Sequence, residues 1–336
     1  MMHPTEEKID TIHPWVLEGL QKVRIGVLLM DPHIDWNQSL DAVLATEALG
    51  FDSVWVADHP ARIADCWTVL SAWAAKTTRI RLGTLVNCVF YRHPVLLARI
   101  VADVDRISNG RLVLGMGIGD LLKEFQQLGL PYLSVRERQE VLEETIQVVK
   151  EIWQTTPVAF KGKHLQIQAQ LPFGPVQQPA IPILIAGGGE RTTLRQVAQY
   201  ADVSNFGAHI TTGGAVHAED VRRKCQVLQD HCQKVGRDSR AILRSYVTMP
   251  FLLGKTAETL ESRKQALPAD VQRIFHSSLV ALRPQEAITY FQALIQAGIQ
   301  YFIVGVGLRD RETLELLQTE VLPALTVQEG GIPSAI

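Results

Sequence analysis

Ser53-Val54-Trp55-Val56-Ala57-Asp58-His59 reads as one buried strand that ends abruptly in a carboxylate and an imidazole. Its apolar run is short, β-branched and aromatic, without polar alternation, the pattern of a parallel strand covered on both faces. Ile183-Leu184-Ile185-Ala186-Gly187-Gly188-Gly189-Glu190-Arg191-Thr192 has the same form, but ends in three glycines just before a helical stretch. Free backbone N–H groups at such glycines, next to a helix N-terminus, favour an anion.

Working outward from these two segments, strand and helix alternate along the chain. Strands are expected at 24–30, 53–57, 80–86, 111–116, 182–186, 203–206, within 241–253, and at 301–305. Helices are expected at 37–50, 66–76, 94–110, 123–128, 135–153, 192–200, 218–235, 284–297 and 312–325. Gly50 suits the position just past a helix, and Pro94 the first turn of one. Residues 158–167 read as a small hairpin. Residues 255–282 are polar and helical with no clear strand. Eight strands, each followed by a helix, predict a (β/α)8 TIM barrel with insertions after strands 4 and 7. The barrel spans 23–327, after an N-terminal extension at 1–22 and before a C-terminal tail at 328–336.

Of the 336 residues, 46% are hydrophobic and 20% charged, ordinary for a chain with a large core. A net charge of −2 leaves no basic excess for nucleic acid or an anionic membrane. No apolar run approaches the roughly 20 residues of a membrane span. Cys66, Cys88, Cys225 and Cys232 form no CxxC pair, and the first 22 residues lack the apolar core of a signal peptide. These features predict a cytoplasmic enzyme. The cysteines and histidines show no zinc-ligand spacing, so no metal is expected.

Barrel enzymes carry their chemistry at the C-terminal ends of the strands. His59, directly after strand 2, titrates near neutral pH and can exchange a proton; a histidine at such a position can also simply bond a carbonyl. Asp58 is either a turn cap or the group that orients the imidazole. Gly115-Met116-Gly117-Ile118-Gly119 after strand 4 lacks the GxGxxG spacing, and a tight turn against a ligand explains it equally well. Asp120 is a helix cap or a second acid–base group. Gly187 to Thr192 carries the strongest anion signal, with Arg191 and Thr192 adding side-chain donors, against the alternative of a plain turn. Tyr91-Arg92-His93 before Pro94 is a helix-start arrangement or a ligand contact.

At these residues the chain resembles the luciferase-like monooxygenase superfamily, and within it the coenzyme F420-dependent oxidoreductases. The resemblance covers roughly residues 24–325. It rests on Ala48-Leu49-Gly50-Phe51-Asp52-Ser53-Val54-Trp55-Val56-Ala57-Asp58-His59, on Tyr91-Arg92-His93-Pro94, on Asn109-Gly110-Arg111-Leu112, on Glu124-Phe125-Gln126-Gln127-Leu128-Gly129 and on Gly187-Gly188-Gly189-Glu190-Arg191-Thr192.

The resemblance implies a flavin or deazaflavin across the barrel mouth and hydride transfer between F420 and a small organic substrate. It implies a phosphate site at Gly187, Gly188, Gly189, Arg191 and Thr192, helped by the turn at Ile118-Gly119. It places a non-prolyl cis peptide at Leu85-Val86 or beside it, ring support at Asn87, and a basic channel for the cofactor tail at Lys123, Arg191 and Arg195. His59 would move the proton, Asp58 orient it, and Asp120 stand for a glutamate found after strand 4 in some members. Ile63 and Leu121-Leu122 replace a tryptophan of many relatives, so no substrate carries over. A homodimer through helices near strands 2 and 3 is also implied. The alternatives are an FMN-dependent monooxygenase, which a cofactor ending in a phosphate would mark, and a catalytically silent cofactor-binding barrel.

Overall fold

The computed structural model describes residues 12–30, 35–154 and 157–325; the first eleven residues of the extension and the tail at 328–336 lie outside them. Eight parallel strands close into a barrel. They are β1 (Arg24–Met30), β2 (Ser53–Val56), β3 (Arg81–Thr84), β4 (Leu112–Gly117), β5 (Ile183–Ala186), β6 (Val203–Gly207), β7 (Leu243–Thr248) and β8 (Tyr301–Gly307). Each pairs with its neighbours in chain order, and β8 returns to β1 with Arg24 opposite Tyr301 and Met30 opposite Gly307. The chain is a (β/α)8 barrel. Helices α1 (Trp36–Ala48), α2 (Cys66–Lys76), α3 (Pro94–Ile107), α4 (Val135–Gln154), α5 (Thr193–Tyr200), α6 (Ala218–Val235), α7 (Pro284–Gln296) and α8 (Arg311–Leu316) surround it.

Local chemistry sets the helix starts. Asp35 accepts from the N–H groups of Asn37 and Gln38, Asp65 from that of Thr68, and His93 from that of Val95 ahead of Pro94. Gly50, just past α1, sits at φ +83°, where other residues are strained.

Both faces of the strands are buried, which explains their lack of polar alternation. Val27, Val54, Leu82, Leu114, Ile185 and Val304 pack outward in the main core with the helices. Leu28, Trp55, Val113, Leu184 and Ile303 fill the barrel interior. A Cβ on Gly26 would lie 2.6 Å from the Trp55 indole nitrogen, and one on Gly83 would run into the same ring. Two glycines on neighbouring strands thus make room for one tryptophan.

The short helix Pro14–Glu18 packs at the N-terminal ends of the strands. Trp15 donates to Asp52 at 2.8 Å and meets the Tyr301 ring edge-on at 5.4 Å, while Arg24 donates to the Trp15 carbonyl at 2.5 Å. The opposite mouth is left for the site.

Between β4 and β5 the chain forms the helix Leu122–Gln127, α4 and a hairpin of Val158–Lys161 with Gln166–Ala169. Between β7 and α7 it forms the helices Ala257–Ala266 and Ala269–Phe275. The stretch read as strandless ends in a strand, Val280–Leu282, which pairs in parallel with Phe251–Leu253. Three residues are too short to show periodicity; the pairing, a tertiary contact, makes the strand. The last predicted helix also changes character, passing from α8 into a wider turn at Leu317–Val321 and a 3₁₀ turn at Leu322–Ala324. Pro323 lacks the N–H an α-helix needs there.

Candidate active site

Asp58 and His59 leave the end of β2 in opposite directions. The Asp58 carboxylate is buried and accepts two bonds from Arg92, at 2.7 and 3.1 Å, and one from the Cys88 N–H at 3.0 Å. It does not orient the imidazole. Arg92 also bridges to Asp65 and donates to Asn87 Oδ1 at 3.2 Å. Asn87 accepts from the Trp67 indole at 2.9 Å, so its side chain faces this network. A guanidinium shared by two carboxylates therefore ties the ends of β2 and β3 to the start of α2.

The Leu85–Val86 peptide is cis, as the resemblance implied. Leu85 donates its N–H to the Val56 carbonyl at 2.8 Å, and both side chains line the cleft at the barrel mouth.

The partner of His59 is Glu124. Nδ1 lies 2.7 Å from Glu124 Oε2, and the same carboxylate accepts from the Tyr91 hydroxyl at 2.9 Å and the Ala61 N–H at 3.3 Å. Glu124 is 1% exposed. Burial alone would depress the pKa of His59, but the bond to Glu124 and the nearby negative charges of Glu124 and Asp120 outweigh it, and the net direction is upward. Burial would raise Glu124, yet its hydrogen bonds hold it below the usual carboxylate range. An ionised carboxylate only accepts, so Nδ1 carries its proton and Nε2 is left to exchange one.

Glu124 was not expected from the sequence as a site residue. It sits on the helix Leu122–Gln127, anchored by Phe125, whose ring lies 5.6 Å from those of Phe90 and Tyr91 and 5.0 Å from that of Tyr132. The alternation of exposed Lys123 with buried Glu124 is a tertiary outcome; the available signal was an acid directly before an aromatic in a short helix over the mouth. Asp120, expected in this role, is exposed at the cleft wall and acts on His59 only through its charge.

Two spaces meet at His59. The cleft, of about 170 Å3, runs from Asp58 and His59 past Leu85, Val86, Ile118, Gly119 and Asp120 to Ala186, Asn205 and Thr212. Burial pushes the Cys88 thiol on its wall up to about 12, so it stays neutral. A second cavity, of about 270 Å3, lies between β1, β8 and the helix Ala269–Phe275 and shares His59, Leu85 and Met249 with the first.

Ile118 and Gly119 are held from behind: buried Arg138 of α4 donates to both of their carbonyls. Gly187 continues β5 by donating to Asn205 O at 2.8 Å, and its φ is +120°. Among the described residues no acceptor takes the N–H of Gly188 or Gly189. Lys224, nearly buried, donates to the Gly188 carbonyl at 2.6 Å and adds positive charge beside the turn. A Cβ on Gly188 would lie 2.9 Å from Gly213 Cα, so two backbones approach closely here. Thr192 stands at the start of α5 and Arg191 is exposed. Lys123 lines a neighbouring hollow with Arg62 and Arg273, away from the cleft, and Arg195 turns to Glu143 at 3.3 Å. The expected basic channel is thus not assembled from these three side chains.

The sequence profile of luciferase-like monooxygenases matches residues 20–315. The chain belongs to this family. Among similar proteins, an F420-dependent glucose-6-phosphate dehydrogenase of Amycolatopsis mediterranei is 28% identical over 85% of this chain and 93% of its own. An F420-dependent hydroxymycolic acid dehydrogenase of Mycobacterium tuberculosis is 25% identical over 90% of this chain and 88% of its own. The F420-dependent tetrahydromethanopterin reductase of Methanopyrus kandleri superposes with a TM-score of 0.75 at 20% identity, covering 91% of this chain and all of the other. This luciferase-like barrel places its imidazole–carboxylate pair at the junction of cleft and cavity. Among the described residues no cluster of three metal-ligating side chains occurs, and no helix is long and apolar enough to cross a membrane.

Proposed function

We propose that this luciferase-like enzyme is an F420-dependent oxidoreductase that exchanges a hydride with a small organic substrate. The observation that carries the reading is His59, held through Nδ1 by buried Glu124 where two adjoining spaces meet. Leu85 and Val86 line the cleft beside His59, and the chain runs from Ala186 on its wall into Gly188 and Gly189, whose N–H groups no acceptor among the described residues takes. This arrangement suits a cofactor with an anionic arm. Both sequence relatives named above are F420-dependent dehydrogenases, which supports the same cofactor here. A bound deazaflavin supplies the hydride acceptor or donor.

The chain's own residues do the rest. His59 Nε2 takes or returns the substrate proton, with the imidazolium held by Glu124. Asp58 and Arg92 fix the loop carrying Leu85, Val86 and Asn87. Gly187, Gly188, Gly189 and Thr192 hold the phosphate through backbone and hydroxyl donors, with the Ile118-Gly119 turn braced by Arg138. Asp120 tunes His59 by charge.

Fluorescence quenching of F420 by the purified protein tests this, with FMN run in parallel. Micromolar F420 binding without FMN binding is the expected outcome; FMN binding alone would assign the barrel to the flavin monooxygenases instead. A homodimer through α2 and α3 belongs to the same proposal, supported by Leu96, 60% exposed on α3, and is checked by light scattering. Unpaired thiols at all four cysteines support a reducing, cytoplasmic setting.

A further inference from the structure

The second cavity has a chemistry of its own. Its floor is Leu28, Leu29 and Leu252, and its roof is Leu267, Val271, Ile274 and Phe275. Ile63 closes the side next to His59. Besides His59, the ionisable side chains along it are Arg62 and Asp270, both exposed and of opposite charge. A polyhydroxylated or phosphorylated substrate would meet no charged or polar side chain along these walls other than His59, Arg62 and Asp270. Most hydroxyls placed against the leucine and isoleucine walls would therefore lose their water without a side-chain replacement.

The roof is fastened in place over the cavity. Ser278 donates to the Met249 carbonyl at 3.0 Å, Val280 N–H donates to Pro250 O at 3.0 Å, and the Phe275 ring lies 5.2 Å from that of His209. The apolar roof therefore belongs to the same pocket as the strand ends below it.

On the reading given under Proposed function, we infer that the substrate is an apolar alcohol or the carbonyl compound it forms, not a sugar phosphate. An enclosed cavity of about 150 Å3 takes one benzene, so the space of about 270 Å3 has room for a body larger than one aromatic ring. The carbinol carbon sits beside His59, Leu85 and Met249, which the cavity shares with the cleft. With a deazaflavin bound to accept the hydride from that carbon, the hydroxyl proton would pass to His59 Nε2, leaving the carbonyl compound. The apolar body extends under Val271 and Ile274.

The test uses 4-phenyl-2-butanone and its alcohol on the full chain, with glucose 6-phosphate as the polar comparison. Calorimetry on the cofactor-free protein reads the cavity directly: the ketone binds, and Val271→Trp, which fills the roof, weakens it at least about tenfold without changing F420 quenching. With F420 present, kcat/KM for the alcohol exceeds that for glucose 6-phosphate by roughly a hundredfold or more. Equal or greater activity on glucose 6-phosphate overturns the inference, as does ketone binding that is absent or indifferent to Val271→Trp. Failure of F420 to bind overturns the proposed function instead, and the calorimetric result then still stands for the cavity.

Discussion

The bond between His59 Nδ1 and Glu124 turns a loop histidine into a proton carrier with a fixed tautomer. The carboxylate raises the imidazole pKa and burial opposes it. Glu124→Gln therefore moves the pH limb governed by His59 to lower pH, which a kcat/KM profile against pH, or a histidine NMR titration, will show. The sign also applies to folding. A pKa raised in the folded state stabilises below the ordinary histidine value, and that contribution fades as pH rises through the elevated one. Asp58 is a different kind of residue. Its removal in Asp58→Ala leaves Arg92, with 12% of its side chain exposed, without its buried partner. We expect a loss of about 3–5 kcal/mol in urea unfolding.

Among the elements, the turn from β5 into α5 is the most constrained. Gly188 faces Gly213 so closely that any Cβ must push one backbone away, and Lys224 closes the remaining side. Gly188→Ala should weaken F420 binding roughly tenfold to a hundredfold by shifting the donors, measured by quenching, at a cost of about 1–3 kcal/mol in stability. The helix Leu122–Gln127 is constrained differently. Six residues cannot hold a helix alone; Phe125, buried among three aromatic rings, supplies the anchoring that aims Glu124 at His59.

In the whole molecule, stability and chemistry occupy opposite ends of one barrel. Trp15, Arg24, Asp52 and Tyr301 close the N-terminal end, while the cleft and cavity open at the C-terminal end. Trp15→Ala should therefore cost about 3–5 kcal/mol by deleting a buried indole. Cofactor affinity should stay within about twofold of the original, since independent sites add. Thermal unfolding and F420 quenching on the same sample separate the two effects.

Sequence by itself determined the repeating architecture. Unbroken apolar runs such as those at 53–57 and 182–186, alternating with helical segments, call for a parallel sheet covered on both faces, and the glycine turn after the second has few backbone solutions. It also placed His59 and the Leu85–Val86 bond at the mouth. The tertiary structure alone decided which carboxylate meets the imidazole, because Asp58, Asp120 and Glu124 all lie near the mouth and only packing assigns their directions. Asp58 was claimed by Arg92, which follows it by 34 positions, and Glu124, 65 positions beyond His59, reached the ring. The cavity under Val271 and Ile274 was equally illegible. Its roof comes from a polar stretch whose few apolar side chains meet each other and the strand ends only in the folded barrel.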